Sequence, residues 1–178
     1  DSTVILASDK KIFLTPDMNI RMWEHTSTKE NLKKLKSYGY KIIGPEIGDM
    51  ACGEYGEGKM TEPKEIVNEI NIYFNLLNKK ILLIICGGIA AYKSLELIRL
   101  LKKQNATIKT IVTKSAKEFV TPLSITSLSQ GKVYDDMFSM KNEAEMDHIS
   151  LSRWADVIVI APATANTVSK LAHGTTDD

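Results

Sequence analysis

Apolar residues recur along this chain in short runs separated by amphipathic stretches. The run "KKILLIIC" begins at Lys79, and "TIKTIV", "ADVIVIAP" and "KKIFLTP" repeat the theme, the last two ending in proline. Strands that are apolar on both faces are typical of a parallel sheet covered by helices on both sides. The pattern therefore predicts an α/β domain.

The stretches between these strands predict helices. After a glycine pair, "IAAYKSLELIRLLKKQ" places five apolar side chains at helical spacing, namely Ile89, Tyr92, Leu95, Ile98 and Leu101. "NIRMWEHTSTKENLKKLKSYG" predicts a helix closed by Gly39, and "TEPKEIVNEINIYF" predicts one opened by Thr61 with Pro63 in its first turn. "TKSAKEF" predicts a turn that leads into a helix.

The stretch "GDMACGEYGEGKM" is rich in glycine and has neither helical nor strand periodicity. It therefore predicts a flap or a hairpin loop. In an open α/β sheet, ligands bind beyond the carboxyl ends of the strands. Four segments follow predicted strands there: "CGGIAAYK", "VTKSA", "APATANT" and "TPDMN". We expect these four loops to converge on one site.

Composition and charge limit the classes of protein to which this chain can belong. The 178 residues suit one domain, and 23 basic against 22 acidic side chains leave a formal charge of +1, which argues against nucleic-acid and membrane-surface partners. Cys52 and Cys86 have neither disulfide nor metal-ligand spacing, so we expect a reducing compartment and no metal site. No apolar run approaches about 20 residues, and no leader pattern precedes the first strand, which predicts a cytoplasmic protein.

Several polar residues in these loops have two interpretations. The pair Gly87–Gly88 lacks G-x-G-x-x-G spacing, and it either makes a tight turn or exposes N–H groups at a helix start. Thr113 and Ser115 either bind phosphate or cap a helix, and Asn19 is either an end-cap or a ligand clamp.

Two further residues carry titratable chemistry. His148 is either structural or a proton-transfer group. Cys52, in a glycine-rich flap with little core to fill, is available for proton or electron chemistry. Met18, Met22 and Trp23 are expected to be core residues of an amphipathic helix.

Four longer motifs occur together: "GGIAAYK", "DHISLSRWADVIVIAPATANTVSKLAHG", "TPDMNIRMW" and "ACGEYGEGKMTEP". In these motifs the chain resembles the flavin-dependent cysteine decarboxylases over essentially its whole length. The resemblance implies a Rossmann-like, flavodoxin-like fold, a parallel sheet with helices on both faces in a three-layer sandwich. It also implies a single FMN-binding domain over residues 1–178.

The order of the motifs differs from the order in that family. There the "GGIAAYK" turn lies near the N-terminus and the "ACGE" flap comes last. Here residues 1–75 correspond to the family's C-terminal part and residues 79–178 to its N-terminal part, with a junction at about 75–78. We interpret the chain as a circular permutant. A segment cut across a tandem fusion and a sequence whose segments were reordered are the alternatives.

The resemblance implies FMN as the cofactor. Its phosphate would rest on Gly87, Gly88, Ile89, Thr113 and Ser115, and its ring would contact Pro162, Thr164, Ala165, Asn166 and Thr167. Asp17 also belongs to the implied cofactor site, where it stands in place of the family's small apolar residue facing the flavin region.

The implied reaction converts 4′-phosphopantothenoylcysteine to 4′-phosphopantetheine in coenzyme A biosynthesis, through transient flavin oxidation of the cysteine moiety. His148 would act as base or electrostatic partner during oxidation, and Cys52 would protonate the enethiolate left by CO₂. The implied substrate-binding residues are Met18, Asn19, Ala51, Gly53 and Arg153. The resemblance implies a homotrimer or an assembly of trimers, with sites at subunit contacts.

Three alternatives share this fold: a peptidyl-cysteine oxidative decarboxylase that stops at the enethiol, a flavin prenyltransferase, and a non-catalytic flavoprotein or regulatory subunit. Cys52 in the "ACGE" flap argues against the first, and the motif around Asn19 argues against the second. Asp17, which stands in place of the family's small apolar residue, keeps the third alternative open.

Overall fold

A parallel sheet of six strands forms the centre of the computed structural model, which describes residues 2–135 and 148–175. Every neighbouring pair in the sheet is parallel, in the order β2-β1-β8-β5-β6-β7, and β3 and β4 form a separate antiparallel hairpin. The strands are β1 Lys11–Pro16, β2 Lys41–Ile42, β3 Glu46–Asp49, β4 Tyr55–Lys59, β5 Lys80–Ile85, β6 Thr107–Val112, β7 Val133–Tyr134 and β8 Val157–Ala163.

Helices cover both faces of this sheet. They are α1 Ser2–Leu6, α2 Ile20–Glu24, α3 Thr26–Ser37, α4 Pro63–Tyr73, α5 Lys93–Lys103, α6 Pro122–Ser129, α7 His148–Trp154 and α8 Ala165–His173. Residues of α4, α5 and α6 share one buried cluster, whereas residues of α1, α3, α7 and α8 share the other. The predicted three-layer α/β architecture is confirmed.

The two clusters divide the sheet residues by their alternation along each strand. On β5, Leu83 and Ile85 join the α4–α6 cluster, whereas Leu82 and Ile84 join the opposite one. All four are completely buried. This explains why the run is apolar throughout, since neither face of a central parallel strand meets water.

Two helix predictions are corrected by the structure. The predicted helix that begins at Asn19 is broken at His25, whose Nδ1 accepts a hydrogen bond from the Ser27 amide at 3.1 Å and so caps a second helix. Its predicted end is confirmed, since Gly39 follows the cap residue with φ +94°. The helix predicted from Thr61 begins instead at Pro63, with Glu62 as its N-cap residue.

The helix predicted from Ile89 also starts later than expected. Residues Ile89–Tyr92 form a 3₁₀ turn, and α5 begins at Lys93. Ile89 and Tyr92 are more than half exposed, and the buried residues of the turn are instead Ala90 and Ala91. The stretch "TKSAKEF" forms a 3₁₀ turn, Ser115–Glu118.

The glycine-rich stretch forms the β3–β4 hairpin, as predicted, with Asp49 paired to Tyr55 near its tip. Its base lies against the end of β1, because the Met18 amide donates to the Gly58 carbonyl at 3.0 Å. Within the described residues, no helix has the length and apolar character needed to cross a membrane.

The strand order becomes simpler when it is counted from β5. If β5 is first and the count passes from β8 to β1 and β2, the sheet reads 3-2-1-4-5-6. This is the usual order of a doubly wound nucleotide-binding sheet, whose ligand crevice lies where the order reverses. Here that reversal falls between β5 and β8, which pair directly.

Candidate functional site

The loops that follow β1, β5, β6 and β8 meet at the carboxyl edge of the sheet, as the strand pattern predicts. The Asp17 amide donates to the Ala163 carbonyl at 3.0 Å, which joins the end of β1 to the end of β8. The Cys86 amide donates to the Pro162 carbonyl at 3.3 Å and joins β5 to the same strand. The Thr113 amide donates to the Ile85 carbonyl at 3.1 Å and adds the end of β6.

A glycine turn lies at the centre of these loops. A Cβ added to Gly87 would overlap Ser115 Oγ and lie 2.6 Å from Ser115 Cβ, so only glycine allows the β5 and β6 loops to approach this closely. Gly88 has φ +151°, a conformation that residues with a side chain rarely adopt. The nearest atom to a Cβ added there is Asp17 Oδ2 at 3.7 Å, which leaves open space in front of the turn.

Two hydroxyls, those of Thr113 and Ser115, lie beside this turn, and the first acts as a cap. Thr113 Oγ1 accepts from the Ala116 amide at 3.3 Å and lies 3.4 Å from Ser115 Oγ. Thr113 thus fulfils the capping interpretation, whereas Ser115 is exposed. Phosphate binding stays a prediction that this cap does not oppose, because a hydroxyl that accepts from a backbone amide still has its proton to donate.

The loop after β8 begins helix α8 in a similar way. Thr164 Oγ1 accepts from the Thr167 amide at 3.2 Å, and Thr167 Oγ1 donates to Cys86 Sγ at 3.3 Å. Asn166 is exposed, Ala165 is partly exposed and Pro162 is buried. The start of α8, with its first backbone N–H groups, therefore lies beside the end of β5, where Cys86 precedes the glycine turn.

The end-cap interpretation of Asn19 is confirmed, and the ligand-clamp interpretation stays a prediction. Its Oδ1 accepts from the Met22 amide at 2.8 Å and caps α2, while the residue itself stays exposed. Met18 and Trp23 are buried core residues, as expected, but Met22 is 44% exposed and does not belong to the core. Asn19 can still offer its side-chain NH₂ group, because the cap uses only the oxygen.

Asp17 is a partly buried carboxylate at the meeting point of these loops. Its Oδ1 accepts from the Met60 amide at 3.0 Å. Burial raises the pKa of Asp17 above its ordinary value, and the Met60 hydrogen bond and the Lys93 charge oppose that rise. Lys93 Nζ lies 2.9 Å from Glu62 Oε1, and this hydrogen bond lowers the pKa of Glu62.

The hairpin tip carries the predicted reactive thiol. Ala51, Cys52 and Gly53 are all exposed, and Cys52 Sγ lies 3.8 Å from Glu54 Oε2. Both cysteines are free thiols, with Cys52 exposed and Cys86 buried. Cys52 therefore has the accessibility that its predicted chemistry requires.

Helix α7 carries His148 at its start and Arg153 near its end. Asp156, just after the helix, accepts from the Lys80 amide at 2.8 Å, so the exposed Arg153 lies toward the amino edge of the sheet. Seven helical residues rise only about 10 Å, whereas the seven residues of β8 extend about 23 Å. The partly buried His148 thus lies part of the way along the sheet.

Sequence reasoning did not single out Lys93, Met60 or Glu62. Lys93 is only 8% exposed, and its ammonium also donates to the Met60 carbonyl at 3.3 Å. One signal for it exists in the sequence, since Lys93 precedes the buried Leu97 and Leu101 at intervals of four and so lies on the core side of its helix.

This arrangement is suited to binding an anion such as a phosphate group. Backbone N–H groups of a glycine turn, the adjacent hydroxyls and the start of α8 are typical phosphate ligands. Among the described residues, no group of three or more His, Cys, Asp or Glu side chains could hold a metal ion.

The chain is similar to curated proteins and to solved structures over part of its length. It is 48% identical over 103 residues to a coenzyme A biosynthesis bifunctional protein CoaBC of Vibrio vulnificus strain YJ016, which covers 58% of this chain and 26% of that relative. It is 46% identical over 103 residues to the CoaBC protein of Bacillus subtilis strain 168, covering 58% of this chain and 25% of that relative. The chain thus spans about a quarter of the length of these relatives.

Among solved structures, the chain resembles the FMN-dependent cysteine decarboxylase SpaF. The two are 30% identical with a TM-score of 0.52, over 58% of this chain and 59% of SpaF. The Flavoprotein family matches in two stretches, residues 2–75 and 73–178. These two stretches together take in nearly every residue, and the chain therefore belongs to the Flavoprotein family.

Proposed function

We propose that this chain is an FMN-dependent phosphopantothenoylcysteine decarboxylase, which converts 4′-phosphopantothenoylcysteine to 4′-phosphopantetheine in cytoplasmic coenzyme A biosynthesis. The observation that carries this proposal is the meeting of four loops at the carboxyl edge of the sheet with a hairpin that bears an exposed thiol. The similarity to two CoaBC proteins supports the pathway, and the similarity to SpaF supports FMN and cysteine decarboxylation.

The residues at the carboxyl edge fit FMN. The phosphate would rest on Gly87, Gly88 and Ile89 and on the hydroxyls of Thr113 and Ser115, in the space that a side chain at Gly88 would fill. The ring would contact the segment from Pro162 to Thr167. Asp17 is a group there that opposes an anion, and the positive charge of the nearby Lys93 ammonium reduces that opposition.

Bound FMN would supply the two-electron oxidation of the cysteine moiety and return the electrons after CO₂ is lost. Asn19 would orient the substrate through its free NH₂ group, beside Met18, while Ala51 and Gly53 would line the hairpin side. Cys52 would deliver a proton to the enethiolate carbon, because its thiol is exposed at the hairpin tip. His148 would accept a proton during oxidation, and Arg153 would pair with an anionic group of the substrate.

We propose that the functional site is completed by a second copy of the chain in a homotrimer or an assembly of trimers. The position of α7 supports this, since Arg153 lies toward the amino edge, away from Gly88 of the same chain. A neighbouring copy would supply His148 and Arg153 to the thiol and the glycine turn of this one.

We further propose that residues 1–178 form one domain in circularly permuted order, joined at about residues 75–78. The sheet order 3-2-1-4-5-6 counted from β5 supports this interpretation, and so does the meeting of the two family-matched stretches at residues 73–75. A segment cut across a tandem fusion would give the same order of motifs and remains the alternative.

The test is a visible absorption spectrum followed by a substrate comparison. We expect the purified protein to contain FMN or to bind it in a 1:1 ratio, and to release CO₂ from 4′-phosphopantothenoylcysteine with formation of a saturated thiol. A protein that binds no FMN would contradict the proposal. Faster CO₂ release from peptides with a C-terminal cysteine would favour the peptidyl-cysteine decarboxylase.

If FMN binds but no substrate releases CO₂, the non-catalytic flavoprotein becomes the better interpretation. Asp17 is the residue that would account for this outcome, because its carboxylate faces the glycine turn. Asp17→Ala, which restores a small apolar side chain, is then the variant to assay.

A further inference from the structure

We propose that Asp17 and Lys93 are positioning residues that fasten the hairpin to the carboxyl edge of the sheet by binding both backbone polar groups of Met60. The Met60 amide donates to Asp17 Oδ1 at 3.0 Å, and Lys93 Nζ donates to the Met60 carbonyl at 3.3 Å. The Met60 side chain is completely buried, so this residue forms a fixed root for the hairpin.

Met60 needs these two partners because of its place in the chain. It lies just beyond Lys59, the last residue of β4, whose partner in the hairpin is Glu46. A buried backbone N–H or C=O without a partner is costly, so the two side chains replace the strand partner that the hairpin lacks at this point.

The two fastening groups come from different parts of the fold. Asp17 follows β1 and lies 43 residues from Met60 in sequence, whereas Lys93 begins α5 and lies 33 residues away. Lys93 is held in turn by Glu62 at 2.9 Å. Two further backbone bonds support this connection. The Asp17 amide donates to Ala163 in β8, and the Met18 amide donates to Gly58 in β4.

This arrangement brings the root of the hairpin next to the glycine turn, because Asp17 Oδ2 would lie 3.7 Å from a Cβ added to Gly88. The fastening would also set the position of Cys52 at the hairpin tip, and this consequence rests on the proposed function. A proton donor must lie within hydrogen-bond reach of its target, and a shift of about 1 Å is costly. The fastening itself does not depend on any ligand.

Amide hydrogen exchange of the ligand-free protein tests the Asp17 bond. Asp17→Ala is expected to speed exchange of the Met60 amide about tenfold, since a hydrogen bond to a charged acceptor is lost. Exchange of the Leu83 amide in β5 should stay unchanged. Asp17→Asn keeps an oxygen acceptor and is expected to restore slow exchange at Met60. Asp49→Ala, an exposed carboxylate of the same hairpin, is the matched control and should leave Met60 unchanged.

Lys93→Met tests the second bond independently, with Lys103→Met, an exposed lysine of the same helix, as its control. We expect the Met18 and Met60 amides to exchange faster than in the parent protein in Lys93→Met, but not in Lys103→Met. Equal exchange of Met60 in the parent protein, Asp17→Ala and Lys93→Met would overturn the proposal, and so would equal acceleration at Met60 and Leu83. A parent protein that releases no CO₂ would contradict the proposed function and leave the exchange result intact.

Discussion

Cys52 is the residue on which the distinction between the two decarboxylation outcomes depends. Because the thiol is exposed, Cys52→Ser should change the free energy of unfolding by no more than about 0.5 kcal/mol. If Cys52 is the proton donor, formation of 4′-phosphopantetheine should fall by at least about 100-fold, while CO₂ is still released in a single turnover and the enethiol accumulates. Product analysis by mass spectrometry together with CO₂ detection measures both quantities.

His148→Asn provides the contrast for that experiment. It should leave the flavin oxidised and release little CO₂, because the proposed role of His148 precedes decarboxylation. If Cys52→Ser formed 4′-phosphopantetheine at the parent rate, Cys52 would have no part in proton transfer.

Asp17 makes the free energy of unfolding decrease as pH rises, because its carboxyl group is partly buried. Burial raises the pKa of Asp17 in the folded protein, so its favourable contribution is complete below the unfolded value of 3.8 and is lost as pH rises through the folded pKa. Asp17→Asn removes this titration. We expect the free energy of unfolding of Asp17→Asn to rise relative to the parent between pH 4 and pH 7.

Urea unfolding of the two ligand-free proteins across that pH range measures the difference. The lowered pKa of Glu62 acts in the opposite direction, since its contribution is lost as pH falls, but it is present in both proteins and cancels in the comparison. A constant difference between pH 4 and pH 7 would show that the Asp17 carboxyl does not titrate differently in the folded state.

Among the structural elements, the glycine turn after β5 is the one with the least room for change. In Gly87→Ala the new Cβ meets Ser115, whose Cβ would be 2.6 Å away, so we expect a loss of about 1–3 kcal/mol in the free energy of unfolding and weaker FMN binding. In the double variant Gly87→Ala/Ser115→Gly, most of the overlap is relieved.

The double variant separates packing from binding in the glycine turn. We expect stability to recover in Gly87→Ala/Ser115→Gly, whereas FMN affinity should stay low because the Ser115 hydroxyl is absent. Urea unfolding and fluorescence titration with FMN measure the two quantities. Full recovery of both would show that Ser115 contributes no ligand to the phosphate.

The central elements were predictable from the sequence because burial on both faces leaves a continuous apolar run. The hairpin was predictable from its glycine content. The break at His25 was not, since helical spacing continues across it and only the Nδ1 cap separates α2 from α3. Strands β2 and β7 have two residues each, which is too short for any period to show.

The candidate site was predictable as four loops but not as a set of contacts. Polar groups that follow parallel strands meet at one edge, so Gly88, Ser115 and Thr164 could be expected together. The Met60 root could not, because it joins residues far apart in sequence through single hydrogen bonds. The position of Arg153 depends on the length of α7, which periodicity did not define.

At the scale of the whole molecule, the order of the segments can be reversed by experiment. A variant that runs from Lys79 to Asp178 and continues through Asp1 to Asn78 should form the same sheet, because the contacts between elements do not change. The packing of α1 against α8 supports a short connection there. Asp1 and Asp178, whose proximity the permuted order predicts, lie outside the described residues.

We expect the rejoined variant to bind FMN with the affinity of the parent, within about threefold, because tolerated permutations leave the site contacts in place. Circular dichroism and FMN titration measure fold and binding. A rejoined chain that is unfolded, while the parent is folded, would contradict the interpretation of residues 1–178 as one permuted domain.

The pairing of β1 with β8 has a consequence for how this chain is synthesised. Thr15 Oγ1 donates to the Ile160 carbonyl at 3.0 Å across a separation of 145 residues. Closing so long a loop is slow, and β1 emerges from the ribosome well before β8 exists. During that interval one edge of the apolar strand β1 has no hydrogen-bonding partner, and such unpaired edges can pair with other chains and aggregate. Strand β1 is therefore exposed to association with other chains until β8 has been synthesised.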